Sequence, residues 1–100
     1  MKPSDAIKGK ADEIRKIIES YGFVAPGFFG STARGEDREG SDLDLLATIP
    51  DDMAGQISLF DIANLQDELE LMLGVVVDFN VENNMPEIYR VSIELEVIKL

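Results

Sequence analysis

The stretch G-F-F-G-S-T-A-R-G-E-D-R-E-G-S-D-L-D-L-L, from Gly27 to Leu46, sets a glycine-serine pair ahead of two aspartates that alternate at the mouth of an apolar run. Leu43 to Ile49 has the Leu and Ile content of a strand. On the other side, Phe23-Val24-Ala25 and Phe28-Phe29 flank Pro26-Gly27, which reads as a strand interrupted or bent by the proline. Thr32 to Ser41 is polar and punctuated by glycine. Two strands joined by a short polar turn therefore frame Gly30-Ser31 at one end and Asp42-Leu43-Asp44 at the other.

Outward from this centre the pattern changes period. Upstream, Ile7, Ala11, Ile14, Ile17, Ile18 and Tyr21 recur at three- and four-residue spacings with charges between them, which predicts one amphipathic helix from Ser4 to Tyr21, capped by Ser4 and stopped at Gly22. Downstream, Pro50 to Gly55 is a loop. Leu59, Ile62, Leu65, Leu69, Met72 and Leu73 then form a second helical stripe ending at Gly74. Val75 to Val81 is a β-branched and aromatic strand with Asp78 in its middle. After Asn83-Asn84-Met85-Pro86 as a start signal, Ile88, Val91, Leu95 and Ile98 predict a closing helix. Helix, strand, polar turn, strand, helix, strand, helix is the order of an α/β (α+β) protein.

A length of 100 residues suits a single domain spanning 1–100, and 45% hydrophobic content is enough to fill one core. There is no cysteine and no histidine. Disulfides, thiolate metal sites, a cysteine nucleophile and the usual base for a serine nucleophile are thereby excluded, and carboxylates carry the titratable chemistry. Any bound metal should be a hard one, Mg²⁺ or Mn²⁺. A net charge of −11 opposes direct binding to nucleic acid or to an anionic membrane. With no signal-peptide pattern at the N-terminus and no spanning segment, the expected location is cytoplasmic.

On a strand, residues two apart project from one face about 6.8 Å apart along the chain, so Asp42 and Asp44 can aim at a common point. Their mutual repulsion is relieved either by solvent, at an edge, or by a divalent cation. Asp78, in a β-branched run, needs a surface, a partner or a metal. At Gly30-Ser31 the glycine lets backbone approach a ligand, and the serine offers a hydroxyl and an N–H to phosphate; a plain helix cap uses the same residues. The EF-hand, P-loop and G-x-S-x-G patterns are all absent.

Gly30-Ser31, ten residues, Asp42-Leu43-Asp44 and a third aspartate on a later strand together resemble the signature of the polymerase β nucleotidyltransferase superfamily. The text F-F-G-S-T-A-R-G-E-D-R-E-G-S-D-L-D-L-L is similar to its smallest branch, the minimal nucleotidyltransferases, and the likeness continues through Ile57 to Gly74, V-V-V-D-F-N-V and I-E-L-E-V-I-K-L. The resemblance implies a small mixed β-sheet with helices packed on it. It implies that Gly30, Ser31 and Arg34 bind the nucleotide, and that Asp42, Asp44 and Asp78 are catalytic and bind two Mg²⁺ ions, Mn²⁺ being a substitute, with ATP as substrate. Minimal members look like antitoxins of two-gene modules whose partner is a HEPN-domain ribonuclease toxin, and the implied reaction is adenylylation of a toxin tyrosine. The metals would supply the positive charge that the chain lacks.

Arg34 can pair with a phosphate or with a nearby carboxylate. Glu36, Asp37, Arg38 and Glu39 read as a solvated turn. Phe28 and Phe29 are expected in the core. The closing helix carries Ile88, Tyr89, Val91, Ile93, Leu95, Val97 and Ile98, an apolar surface wider than a small domain covers, which points to a protein partner in a homodimer or hetero-oligomer. A second reading follows, in which the chain is a binding module that neutralises a partner by contact alone.

Overall fold

Four strands, β1 (Val24–Phe29), β2 (Leu43–Thr48), β3 (Val77–Val81) and β4 (Ile98–Lys99), form one mixed sheet in the order β3-β2-β1-β4 in the computed structural model, which describes residues 1–100. β1 runs antiparallel to β2 and to β4, whereas β2 and β3 are parallel. A parallel pair needs a crossover, supplied here by the helix α4 (Leu59–Leu73). Ser58 opens that helix with a reciprocal cap, its Oγ accepting from the Asp61 N–H at 3.1 Å and its own N–H donating to Asp61 Oδ2 at 2.9 Å. Such a cap is worth about 1 kcal/mol. At the other end Gly74 takes φ +73°, the left-handed stop that glycine allows at little cost.

The core lies on one face of the sheet. Leu43, Leu45 and Ala47 of β2 have no exposed surface, and their register partners Val77, Phe79 and Val81 of β3 share the same side. Leu65, Leu69 and Leu73, spaced by four along α4, pack there with Ile14 and Ile18 of the helix α2 (Ala11–Ser20). Phe23 meets Phe79 edge to face, with ring centroids 5.1 Å apart. Each fully buried Leu, Ile or Phe side chain among these contributes about 1.5–3 kcal/mol. α4 also shields the outer edge of the sheet: Glu70 Oε2 accepts the Val77 N–H at 2.8 Å and Gln66 Oε1 the Phe79 N–H at 3.2 Å. Those amides are then not available to a foreign strand.

Several expectations are corrected. The predicted helix from Ser4 to Tyr21 is two helices, α1 (Pro3–Ile7) and α2, because Gly9 sits at φ +75° between them. Ser4 is not the cap. Pro3 occupies the first helical turn and the Ser4 N–H donates to Asp37 Oδ2 at 2.8 Å, so the cap comes from 33 residues away. The polar turn after β1 begins with one helical turn, α3 (Gly30–Arg34). Leu59, placed on the apolar stripe of α4, is 82% exposed, as is Phe60.

The closing segment departs furthest from its periodicity. The helix α5 (Glu87–Glu94) stops short, and Ile98, spaced as if helical, belongs to β4 and pairs with Phe28. Edge pairing decides this, reinforced by the Leu100 N–H donating to the Pro26 carbonyl at 3.1 Å. The approach depends on Gly27: a Cβ there would stand 2.8 Å from Val97 Cγ2 and 2.9 Å from the Ile98 carbonyl oxygen. The bend expected in β1 is present, as a register shift between Val24 and Gly27 with Ala25 at φ +53°. No helix is long and apolar enough to cross a membrane.

Candidate active site

Because side chains alternate along a strand, the face opposite the core receives Phe29 of β1, Asp44 of β2 and Asp78 of β3, which are direct register partners (Phe29 with Asp44, Asp44 with Asp78). The parallel pairing of β2 with β3 is what sets the two carboxylates side by side. Asp44 is half-buried and Asp78 exposed. Asp78 therefore meets the requirement for a surface, although it lies in a run of Val and Phe. Phe29 sits on this face rather than in the core, while Phe28, on the other side, packs against the core.

Gly30 begins α3 directly after β1, in a left-handed conformation at φ +71°. A Cβ at this position would collide with the Asp44 carboxylate. Glycine is thus required twice, for the backbone angle and for the approach of the turn to Asp44. The turn closes with the Glu36 N–H donating to the Ser31 carbonyl at 2.8 Å and with Gly35 at φ +73°. Thr32 is buried and its hydroxyl has no hydrogen-bond partner.

The electrostatics of this face are those of an anion cluster short of positive charge. Burial pushes the Asp44 carboxyl up to about 6, reinforced by the charge of Asp78, by a hydrogen-bonding contact with it and by the charge of Asp42, with Arg34 acting weakly in the opposite sense. None of the three aspartates takes part in an ion pair. Asp42 is exposed and stands just before the first residue of β2, so strand alternation does not bind it to Asp44. The three carboxylates do not converge as a ready-made ligand group. The close pair is Asp44 with Asp78, and Asp42 is near enough to act on Asp44 through its charge. Oxygen donors, a half-buried carboxylate beside a second one, and no neutralising lysine fit a hard divalent cation.

Arg34 ends α3 and is held by two carboxylates. Its Nε donates to Glu36 Oε1 at 2.6 Å, and its Nη1 donates to Glu96 at 3.2 and 3.3 Å. These bonds raise its pKa further. The Gly30 N–H also donates to Glu96 Oε1, at 2.9 Å. Glu96, between α5 and β4, was not among the candidate residues; in the sequence it is one of two glutamates alternating with apolar residues in Ile93 to Ile98, and nothing local distinguishes it from Glu94. Asp37, read as part of a solvated turn, is buried, and its hydrogen bonds from Ser4 hold its carboxyl below the usual range.

Known proteins resemble this chain in sequence and in fold. The family model described as a nucleotidyltransferase domain matches residues 11–99. A candidate protein adenylyltransferase of Methanocaldococcus jannaschii, MJ1217, is 35% identical over 100 residues, covering 98% of each chain. Protein adenylyltransferase MntA of Thermococcus cleftensis is 34% identical over 71 residues, 71% of this chain and 68% of that one. Among solved structures, a candidate minimal nucleotidyltransferase superposes with a TM-score of 0.83 at 35% identity, covering 97% of this chain and 95% of the other. A toxin–antitoxin with AMP-PNP shares the fold, with a TM-score of 0.76 at 16% identity over 90% of this chain and 71% of that one.

Proposed function

We propose that this chain, which belongs to the nucleotidyltransferase domain family, acts over residues 1–100 as a single catalytic domain that transfers AMP from ATP to a tyrosine hydroxyl of a HEPN-type toxin, and so serves as its antitoxin. The observation that carries the reading is the contact between the Gly30 turn and the Asp44 carboxylate, with Asp78 alongside. In that arrangement a triphosphate held at Gly30 and Ser31 would lie against the carboxylate pair. The adenylyltransferase relatives support AMP as the transferred group, and the toxin–antitoxin neighbour supports a toxin as partner.

Each residue has a role in this reading. The Gly30 N–H and the Ser31 hydroxyl and N–H bind phosphate oxygens, and Arg34 turns its guanidinium to a phosphate. Asp44 and Asp78, with Asp42, would hold divalent cations, Mg²⁺ or Mn²⁺. Bound there, two such ions would neutralise the triphosphate and acidify the acceptor hydroxyl. Asp78, the exposed member of the pair, faces the acceptor and takes its proton as the hydroxyl oxygen attacks the α-phosphorus and pyrophosphate leaves.

The test is incubation with the candidate toxin, Mg²⁺ and ATP labelled at the α-phosphate. Label should appear on the toxin as a mass increment of one adenylyl group on a tyrosine, and should vanish with Asp42→Asn and Asp44→Asn. Neutralisation of the toxin that survives both substitutions without any label would instead support contact alone. One observation favours that second reading: Ile88, Tyr89 and Val91 of α5, and Leu95 just after it, are all more than half exposed.

A further inference from the structure

We infer that Glu96 is a built-in competitor of the nucleotide, occupying the phosphate donors of the Gly30 turn until the incoming phosphates displace it. The inference rests on the proposed role of Gly30 and Arg34 in phosphate binding. Its basis is a single carboxylate that accepts from the Gly30 N–H at 2.9 Å and from Arg34 Nη1 at 3.2 and 3.3 Å. A backbone amide and a guanidinium converging on one anion is the donor set that a phosphate oxygen would use. Two anions cannot share it, since like charges at that distance repel.

The strap that carries Glu96 is built to let go. Between α5 and Leu100 it is held to β1 by the two-residue strand β4 and by the Leu100 N–H on the Pro26 carbonyl. Leu95 and Ile98 are 86% and 44% exposed, and its apolar anchors, Val97 and Leu100, are only partly buried. Short edge pairing with few buried contacts opens at low free energy. When Glu96 withdraws, Arg34 keeps its bond to Glu36 and is free to swing its Nη1 to a phosphate. Apparent nucleotide affinity is the intrinsic affinity multiplied by the fraction of molecules in which the strap is open.

The test compares wild type, Glu96→Gln and Glu87→Gln by calorimetry, titrating AMP-PNP with Mg²⁺ and, separately, inorganic pyrophosphate with Mg²⁺. Glu87 lies exposed in the first turn of α5, so Glu87→Gln removes the same charge without touching the turn. Glu96→Gln should tighten both ligands by about tenfold, the size of one charge-assisted contact, with Glu87→Gln within about twofold of wild type. Equal or weaker binding of both ligands by Glu96→Gln overturns the inference, because a residue that merely positions Arg34 would weaken them. Tightening of pyrophosphate alone, with no protein binding AMP-PNP, upholds the competition and overturns the nucleotide reading. Amide exchange of Ile98 and Leu100 gives an independent measure: saturating AMP-PNP should accelerate it, and unchanged or slower exchange counts against displacement.

Discussion

Asp44 and Leu45 are adjacent in β2 and belong to opposite sides of the molecule. Leu45 is sealed among Leu65, Leu69 and Phe79, whereas Asp44 faces a second carboxylate and a glycine turn. The two faces obey different rules. On the core face every contact lowers the free energy of the folded state, and the packing of α2 and α4 is what that sum requires. On the carboxylate face, half-burial of Asp44 beside Asp78 raises it, and the arrangement is stable only because the other face provides the surplus. A functional face can thus be recognised by where the chain accepts unfavourable chemistry.

The largest expected effect separates the two faces by kind of measurement. Asp44→Asn should lower the rate of nucleotidyl transfer on the order of a thousandfold, about 4 kcal/mol of transition-state stabilisation, while the melting temperature stays level or rises because a half-buried charge is removed. Transfer at an undiminished rate would erase the distinction between the faces. Leu45→Ala, one residue along, should do the reverse. A loss of about 2–5 kcal/mol in urea unfolding is expected, with transfer per folded molecule retained.

A smaller contrast concerns Thr32, whose buried hydroxyl is unpartnered. Thr32→Val keeps the shape and removes the orphaned group, so unfolding free energy should rise by about 1 kcal/mol. A loss of that size would mean that the hydroxyl has a partner in solution.

The smallest effect sharpens the comparison between two carboxylates. Asp44 is raised by burial and by the charge of Asp78 beside it, and Asp37 is lowered because Ser4 donates to it. A carboxyl whose folded pKa is below its unfolded value near 3.8 stabilises the fold fully above that value and loses the contribution as pH falls through the folded pKa. Wild type should therefore exceed Asp37→Asn in stability at neutral pH, and the gap should close below about pH 4. A gap that stays constant from pH 7 to pH 3 would show that the Ser4 bond does not favour the ionised form.

Much of this was readable in the chain. The spacing of Leu65, Leu69 and Leu73 places α4 with its bounds, Leu43 to Ile49 locates β2 to within a residue, and Pro26 marks the bend in β1. The misses share one cause. Ile98 carries helical spacing yet pairs as a strand with Phe28, and Asp37 looks like loop polarity yet caps a helix 33 residues upstream. Glu96 looks like surface charge yet meets Gly30 across 66 residues. Gly9 is the exception, a local signal outweighed in the reading by the apolar periodicity around it.

The sequence alone places Asp44 and Leu45 on opposite sides of β2, because alternation of side chains is a property of a single extended backbone. It also determined the chemistry available, since a chain without histidine or cysteine must work with carboxylates and backbone amides. That Asp44 stands beside Asp78, that Gly30 rather than a larger residue can approach it, and that Glu96 reaches the same turn emerges only on folding. Those neighbours come from strand pairing and core packing between distant segments, whose register is a sum over the whole molecule and leaves no local mark on any one of them.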